Sequence, residues 1–317
     1  MPILSMLRAG LAWLGRQGTR AVAVSIFLGL AVPPLAAYVK PHLAETVFVL
    51  LLFSYLRTDL VVFGRYFKAP GSIFIAALWV MMAMPLMFGL ICLLSGVREA
   101  MPALYTIMIL QNVITPITSA AAFAALMGLN VAFSLATLIV CIVLSPVTSV
   151  GLSYLFLGTS LFSPLELGVK LFFFFAASGA IAYAIRRVAG QHWIDRQKET
   201  IDGLNVIALF IFAIAAMEGV PRHVMANPSL ALELIVLTFV LTFAMIGLSV
   251  LVFWRSGLDR GLEIGLLAGF RNIGLVMAAI GASLPDLAWF YFALVQFPIY
   301  LLPMVLQPLA RRLGKKR

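Results

Sequence analysis

The sequence predicts an all-α integral membrane protein with ten transmembrane helices in two inverted five-helix repeats. Three observations lead to this prediction: the composition, the distribution of basic residues and a repeat in the order of the apolar segments. The 317-residue chain is 63% hydrophobic and 11% charged, whereas soluble domains are about 25% charged and about half apolar. Its apolar runs repeatedly reach the ~20 residues that span a hydrocarbon core. We therefore expect the lipid bilayer to surround the chain.

Charge clusters and proline or glycine residues divide the chain into ten predicted spans. The spans cover residues 21–39, 42–57, 70–96, 101–127, 130–157, 165–186, 201–219, 229–254, 259–282 and 286–308. The segment before them, residues 1–20, is amphipathic and basic. We expect it to be a retained interfacial helix rather than a cleaved signal peptide.

The lysine and arginine residues give an independent test of this number of spans. With both termini in the cytoplasm, 17 of the 22 basic residues fall inside and 3 fall outside, while Lys170 and Arg271 lie within spans. Such an asymmetry is what the positive-inside rule predicts. It also explains the net charge of +10 without a nucleic-acid partner. We expect a location in the bacterial inner membrane, with both termini cytoplasmic.

The order of the spans repeats along the chain. The third and eighth spans begin at Pro70 and Pro228, and the fourth and ninth begin near Met101 and Asp259, an offset of 158 residues in both pairs. Because five spans is an odd number, the second copy must enter the membrane from the opposite side, an arrangement typical of secondary transporters. The predicted organisation is an N-terminal segment (1–20), a first repeat (21–157), a sixth helix with a cytoplasmic linker (158–200) and the remainder of the second repeat (201–317).

Pro116 lies deep in the fourth predicted span, among several polar side chains. These side chains are Gln111, Asn112, Thr115, Thr118 and Ser119. A proline removes one main-chain hydrogen bond and opens the preceding turn, and carbonyls freed at membrane depth need protein or water to satisfy them. One interpretation is an interrupted helix. The other is a simple kink whose hydroxyls bond back to the helix.

Arg271 and Asn272 stand in the middle of the ninth span. The flanking glycines, which permit a close approach of neighbouring backbone, are Gly265, Gly269 and Gly274. A central arginine costs at least ~2.5–3.5 kcal/mol on insertion scales and must face protein or water. Its role is either structural, as a partner of Glu263, Glu233 or freed carbonyls, or functional, as a ligand-binding cation. Glu263 is eight residues away, so direct pairing along one helix is not expected.

The remaining polar and sulfur-containing residues predict no catalytic or metal site. Asn130, Ser134, Thr137 and Gln296 are expected to support the region by interhelical contacts. Neither Cys92 nor Cys141 has the spacing of a zinc ligand or a disulfide framework. No carboxylate pair or nucleophile with a base is visible. We therefore expect no enzyme activity, cofactor or metal.

The chain resembles the bile acid–sodium symporter family over nearly its whole length. Three stretches carry this resemblance. They are LLLFSYLRTDL with the later MPLMFG, the stretch ITPITSAAAFAALMGLNVAFSLATLIVCIVLSP, and LEIGLLAGFRNIGLVMA. The motif GFRNIGL, close to a family pattern G-x-Q-N-x-G-L, is the most specific. The resemblance implies ten helices in two inverted repeats, a panel domain and a core domain. It also implies two broken helices that cross in the core, and transport by alternating access.

The departures from the family pattern concern sodium. Sodium-using members have a Glu and a Gln where this chain has Leu267 and Arg271, and a Ser-Asn pair where it has Ser119 and Ala120. Near Val80, where the family often has a Gln, this chain has no side-chain oxygen. A hard cation needs several oxygen ligands, and these substitutions remove them.

We hypothesise that Arg271 replaces the sodium ion. Its fork is then expected among Thr118, Ser119, Ser134 and freed carbonyls.

The function expected from these features is secondary transport of a small organic anion without sodium coupling. The residues expected to bind the anion are Asn112, Thr115, Thr118, Ser119 and Asn272. One alternative is sodium or proton coupling through Glu263, Glu233 or Glu218. Another is a transport-inactive receptor on the same fold. Bile acids, pantoate-like acids, keto acids and sulfonates all fit a positive site in an apolar surrounding, and the resemblance does not choose among them.

Overall fold

The computed structural model describes residues 9–11, 13, 24, 26–57, 70–158 and 163–314, and these residues are nearly all helical. The helices are α1 (Pro33–Val39), α2 (Leu43–Arg57), α3 (Gly71–Leu78), α4 (Met84–Leu94), α5 (Val97–Ala100), α6 (Pro102–Val113), α7 (Ala120–Leu126), α8 (Val131–Leu157), α9 (Pro164–Ala189), α10 (Gln191–Arg196), α11 (Lys198–Ala216), α12 (Val220–Ala226), α13 (Pro228–Val252), α14 (Leu258–Gly269), α15 (Ile273–Ile280) and α16 (Asp286–Gly314). A π-helical turn, Trp79–Ala83, joins α3 to α4. The described part contains no β-strand.

Six helical segments of the described part are long and apolar enough to cross a membrane. They are Pro33–Leu56, Gly71–Leu94, Val131–Leu157, Pro164–Ala189, Lys198–Ala226 and Pro228–Val252. The prediction of an integral membrane protein made of helices is confirmed at this level. In the first predicted span (21–39), residues 21–23 and 25 lie outside the described residues. Most of the N-terminal segment 1–20 lies outside them too. The fourth and ninth predicted spans are each divided into two shorter helices.

The chain divides into two compact units. The first unit comprises Met1–Thr58 and Phe173–Pro228. Within it, α1 and α2 pack against α11, and a cluster of buried apolar side chains surrounds Leu56. The Lys40 ammonium is 2.7 Å from the Glu218 carboxylate. This ion pair joins the turn after α1 to the segment after α11.

The second unit comprises Asp59–Phe172 and Ser229–Arg317. Helices α6, α14 and α15 are buried along almost their entire length, as expected for helices that are apolar on most faces. Lys170, which the sequence places inside a span, is 2.7 Å from the Glu166 carboxylate and donates to the Ala279 carbonyl at 2.8 Å. The lysine therefore pairs with a carboxylate on its own helix, α9, and joins this helix to the C-terminal end of α15.

Glycines at every fourth residue bring α14 against α13. A Cβ atom added to Gly261 would lie 2.9 Å from the Val250 Cα, and one added to Gly265 would lie 3.0 Å from the Ile246 carbonyl oxygen. At Gly269 the added atom would lie 2.9 Å from the Ile246 side chain. None of the three glycines has a positive φ. Their role in the fold is close packing rather than a special backbone conformation.

Candidate functional site

The two interrupted helices meet at their breaks. Helix α6 ends at Val113 and α7 begins at Ala120, while α14 ends at Gly269 and α15 begins at Ile273. The interrupted helix that was one interpretation of Pro116 is thus confirmed, and the ninth predicted span is interrupted as the family resemblance implies. The breaks are joined by one antiparallel bridge between Pro116 and Arg271.

Two main-chain hydrogen bonds form this bridge. The Ile117 N–H donates to the Phe270 carbonyl at 2.8 Å, and the Asn272 N–H donates to the Thr115 carbonyl at 2.9 Å. Irregular backbone at membrane depth requires such internal partners because no water is available in hydrocarbon. Each break therefore supplies polar main-chain groups that the other one satisfies.

The Arg271 guanidinium lies beside this bridge and is completely buried, with 0% of the residue exposed. Its Nε donates to the Ala268 carbonyl at 2.8 Å, Nη1 to the Ile114 carbonyl at 3.0 Å and Nη2 to the Val80 carbonyl at 2.7 Å. The Met81 sulfur is 4.0 Å from Nη1. One side chain thus connects the π turn, the first break and the last turn of α14. We call these three oxygens the carbonyl cage.

The Val80 carbonyl is available to Arg271 because of Pro85. In the π turn, the Met84 N–H donates to the Trp79 carbonyl, five residues back. The next donor in this register is residue 85, and proline has no N–H. The Val80 oxygen is therefore without its main-chain donor. A π turn of this kind is frequently found at functional positions.

The other two members of the carbonyl cage also lack their helical donors. Ile114 follows the end of α6, so its carbonyl has no following turn of helix to donate to it. The helical donor to the Ala268 carbonyl would be the Asn272 N–H, which donates to Thr115 instead. Arg271 satisfies all three oxygens, and each would otherwise incur the cost of a buried unpaired acceptor.

The charge of Arg271 is balanced by carbonyl dipoles. Within the described part of the chain, no carboxylate lies at ion-pair distance from it. Glu263, which is 3% exposed, instead accepts the Asn130 N–H at 2.7 Å and lies 3.0 Å from Arg260. The Arg260 guanidinium carbon is 3.6 Å from the centre of the Phe133 ring. The sequence interpretation of Arg271 as a donor to freed carbonyls is confirmed.

One part of the expectation for Arg271 was wrong. None of the hydroxyls of Thr118, Ser119 and Ser134 accepts a hydrogen bond from its fork, because all its oxygen acceptors are main-chain carbonyls. Carbonyls that have lost their helical donor cannot rotate towards another partner, whereas a hydroxyl can turn to suit its surroundings. The guanidinium therefore goes to the fixed acceptors.

The predicted anion-binding residues lie at or next to the first and second breaks. Asn112 is buried, and its Nδ2 donates to the Met108 carbonyl at 2.9 Å while its Oδ1 has no partner. The buried Thr115 hydroxyl also has none. Thr118 and Asn272 are half-buried.

Several hydroxyls near the breaks have no hydrogen-bond partner among the described residues. They are the hydroxyls of Thr115, Ser119, Ser134 and Thr137. Helix α8, which carries the last two, packs against both α7 and α14. Leu267 on α14 is 0% exposed and supplies no oxygen. The region therefore contains neutral polar groups and a positive charge, a combination that favours an anion over a cation.

The N-terminus of α15 adds to this positive potential. Asn272 occupies the N-cap position, and its side chain makes no capping hydrogen bond. The first N–H groups of a helix have no partner within the helix and carry partial positive charge. An anion next to Asn272 would thus be stabilised by helix dipole and amide donors.

The supporting residues predicted from the sequence have separate roles. Gln111 accepts from the buried Tyr291 hydroxyl at 2.7 Å, and Gln296 donates to the Phe292 carbonyl at 3.0 Å. The Asn130 side chain caps α8 by accepting the Phe133 N–H at 3.0 Å. Gly274 is buried in α15.

Sequence reasoning did not identify the Val80 carbonyl, Pro85 and Tyr291 as parts of the site. For Pro85 a signal existed. A proline within the apolar run WVMMAMP indicates a freed carbonyl one turn earlier.

The described residues contain no group of three or more His, Cys, Asp or Glu side chains that could hold a metal ion. Comparison with known protein families gave no match, and no curated protein matched the chain.

Proposed function

We propose that this protein is a secondary transporter that moves a small organic anion across a membrane by alternating access, without sodium coupling. The observation that carries the proposal is the position of the Arg271 guanidinium among three carbonyls at the junction of two broken helices. Discontinuous helices that meet within the membrane are the usual construction of transporter binding sites. In this proposal Arg271 permanently occupies the place of a coupling ion.

The anion is proposed to bind on the side of the junction where Thr118, Ser119 and Asn272 are half-buried. The uncapped N-terminus of α15 and nearby amide and hydroxyl donors would stabilise its negative charge. Arg271 itself is buried, and each of its three nitrogens already donates to a main-chain carbonyl, so its contribution to the anion is its field rather than a direct contact. Asn112 and Thr115 would complete the polar surroundings.

The finer architecture belongs to the same proposal. Each compact unit takes helices from both halves of the chain, as a panel domain and a core domain built from two inverted five-helix repeats would require. The resemblance to the bile acid–sodium symporter family, the ten-helix count and a bacterial inner-membrane location with cytoplasmic termini complete it. The basic residue distribution supports this orientation.

The contacts of the carboxylates argue against ion coupling through them. Glu263 is held by the Asn130 N–H and by Arg260, and Glu218 by Lys40. A coupling carboxylate has to bind and release its ion in each cycle. Glu233 lies exposed on α13, in the second turn after the start of the helix at Pro228.

Uptake into proteoliposomes tests the proposal. We would load vesicles with the purified protein and measure uptake of labelled taurocholate, pantoate, pyruvate and a small alkyl sulfonate. The measurement would be made with Na⁺, K⁺ or choline outside. We expect saturable uptake of at least one anion at the same rate in all three salts. Absence of protein-dependent uptake of every anion contradicts transport, and a steep dependence on Na⁺ contradicts the ion-independent mechanism.

A further inference from the structure

We propose that the carbonyl cage is a cation-binding site in its own right, shaped for a guanidinium ion, and that Pro85 creates one of its three ligands. Arg271 then acts as a tethered ligand of a site that the main chain builds. The proposal concerns binding and stability, and it does not depend on whether the protein transports an anion.

Three different features of the sequence leave the three carbonyls without donors. Pro85 removes the N–H that the π register would offer to Val80. The end of α6 leaves Ile114 without a following turn, and the bond from Asn272 to Thr115 diverts the donor of Ala268. None of these three causes involves the Arg271 side chain. The acceptors would therefore remain without donors after its removal.

The arrangement of the three oxygens matches the shape and charge of a guanidinium ion. The three oxygens receive Nε, Nη1 and Nη2 at 2.8, 3.0 and 2.7 Å, so one oxygen faces each nitrogen of a planar fork. A guanidinium has five N–H donors in fixed directions. The match predicts binding of free guanidinium compounds when the Arg271 side chain is shortened.

The number of oxygen ligands distinguishes guanidinium compounds from alkali ions at this site. Hard cations take about six oxygen ligands and favour carboxylates. The cage offers three carbonyl oxygens, with the thioether of Met81 as a further neighbour and the apolar Leu267 nearby on α14. Na⁺ and K⁺ would be under-coordinated here. We therefore infer a preference for guanidinium compounds over Na⁺ and K⁺.

The experiment is chemical rescue of Arg271→Ala. Ethylguanidinium reproduces the atoms that the substitution removes beyond Cβ, so it is the probe of choice. We would extract and purify the variant with 10 mM of the probe, a concentration chosen as roughly ten times a millimolar Kd. Parallel samples would contain urea, NaCl or KCl at the same concentration. Thermal unfolding in detergent is the readout.

We expect ethylguanidinium to raise the unfolding temperature of Arg271→Ala by a few degrees relative to urea, NaCl and KCl. The wild-type protein, whose cage is occupied, should not respond. The matched control is Arg186→Ala, because Arg186 also donates to two main-chain carbonyls, those of Tyr55 and Leu56. Arg186 is half-exposed, so water can replace its guanidinium and this control should not respond.

A second variant tests the contribution of Pro85. In Arg271→Ala combined with Pro85→Ala, residue 85 regains an N–H for the Val80 carbonyl. We expect the rise in unfolding temperature to be at least halved. An undiminished rise would show that Pro85 does not create the Val80 ligand.

Three results would overturn the cation site. The first is equal stabilisation of Arg271→Ala and Arg186→Ala by ethylguanidinium. The second is stabilisation by Na⁺ that equals or exceeds that by ethylguanidinium. The third concerns folding. If Arg271→Ala does not yield monodisperse protein, Arg271→Gln is tested in its place. The proposal is rejected if ethylguanidinium neither restores a monodisperse peak nor raises the stability of either variant.

Discussion

Two arginines, one in each unit, donate to main-chain carbonyls at places where a helix is interrupted or ends. Arg186 in the first unit donates through Nη2 to the Tyr55 and Leu56 carbonyls at 3.0 and 3.1 Å, in the last turn of α2. Its Nη1 donates to the exposed Gln191 side chain at 2.6 Å. Arg271 in the second unit donates to three carbonyls and is completely buried.

The difference between the two arginines is their exposure to water. Arg186 is half-exposed, so water competes with its guanidinium for the Tyr55 and Leu56 carbonyls. The carbonyls around Arg271 have no such alternative. The same hydrogen bonds therefore contribute little net stability in the first unit, whereas in the second unit their loss leaves buried acceptors unpaired.

The largest expected effect is the contrast between Arg271→Lys and Arg186→Lys. An ammonium cannot reach three oxygens spread around a planar fork. We expect Arg271→Lys to lower the free energy of unfolding by about 2–6 kcal/mol, because two carbonyls lose their donor at about 1–3 kcal/mol each. Arg186→Lys should cost less than about 1 kcal/mol at its half-exposed position.

Unfolding of both variants in detergent, followed by circular dichroism, makes this comparison. Equal losses of unfolding free energy in the two variants would contradict the distinction between the buried Arg271 and the half-exposed Arg186.

A smaller effect is expected from one added methyl group near each arginine. In Gly269→Ala the new Cβ would lie 2.9 Å from the Ile246 side chain and 3.2 Å from the Thr242 carbonyl oxygen. Helix α14 would have to shift next to Ala268, at a cost of about 1–3 kcal/mol. The matched control is Gly179→Ala on α9, where the nearest atom is the Tyr55 ring at an ordinary 3.8 Å.

Gly179→Ala should be neutral or stabilise the protein by up to about 1 kcal/mol through helix propensity. The unfolding temperatures of the two alanine variants decide the matter. If Gly269→Ala is as stable as the wild type, the packing of α14 on α13 does not fix the position of the Ala268 carbonyl.

The site was predictable from the sequence where side-chain chemistry reports on the backbone. Pro116 in an apolar span indicated a break in the fourth helix, and a central arginine indicated buried polar partners in the ninth. The structure has the interrupted helix at Pro116 rather than the simple kink, and it buries Arg271 among polar main-chain groups. The prediction worked because proline and a buried charge each have few ways of being accommodated in a membrane helix.

The partners of Arg271 were not predictable in the same way. The sequence displays hydroxyls such as Ser134 but does not show which carbonyls are free, so the expected partners included side chains, whereas the observed oxygen partners are all main-chain carbonyls. In an α-helical register Pro85 would free the carbonyl of Met81, four residues earlier, but the π turn shifts the free oxygen to Val80. A change of helical register by one residue has no clear sequence signal.

The smallest expected effect concerns Arg260, a third arginine that does have a carboxylate partner. It lies 3.0 Å from Glu263, whose other oxygen accepts the Asn130 N–H at 2.7 Å. In Glu263→Gln the amide oxygen can still accept from Asn130, and the partly exposed Arg260 can turn towards water. Removing a buried charge also removes its desolvation cost. We expect stability to change by less than about 1 kcal/mol.

Transport by Glu263→Gln tests whether the Glu263 carboxylate takes part in transport. If Glu263 is structural, as its two partners indicate, uptake of the transported anion should equal that of the wild type with and without an imposed pH gradient. The measurement uses proteoliposomes with equal amounts of both proteins. A variant that keeps its unfolding temperature but loses uptake driven by the pH gradient would assign proton coupling to Glu263. In that case the carboxylate, rather than the permanently bound arginine, would be the group whose charge changes during the cycle.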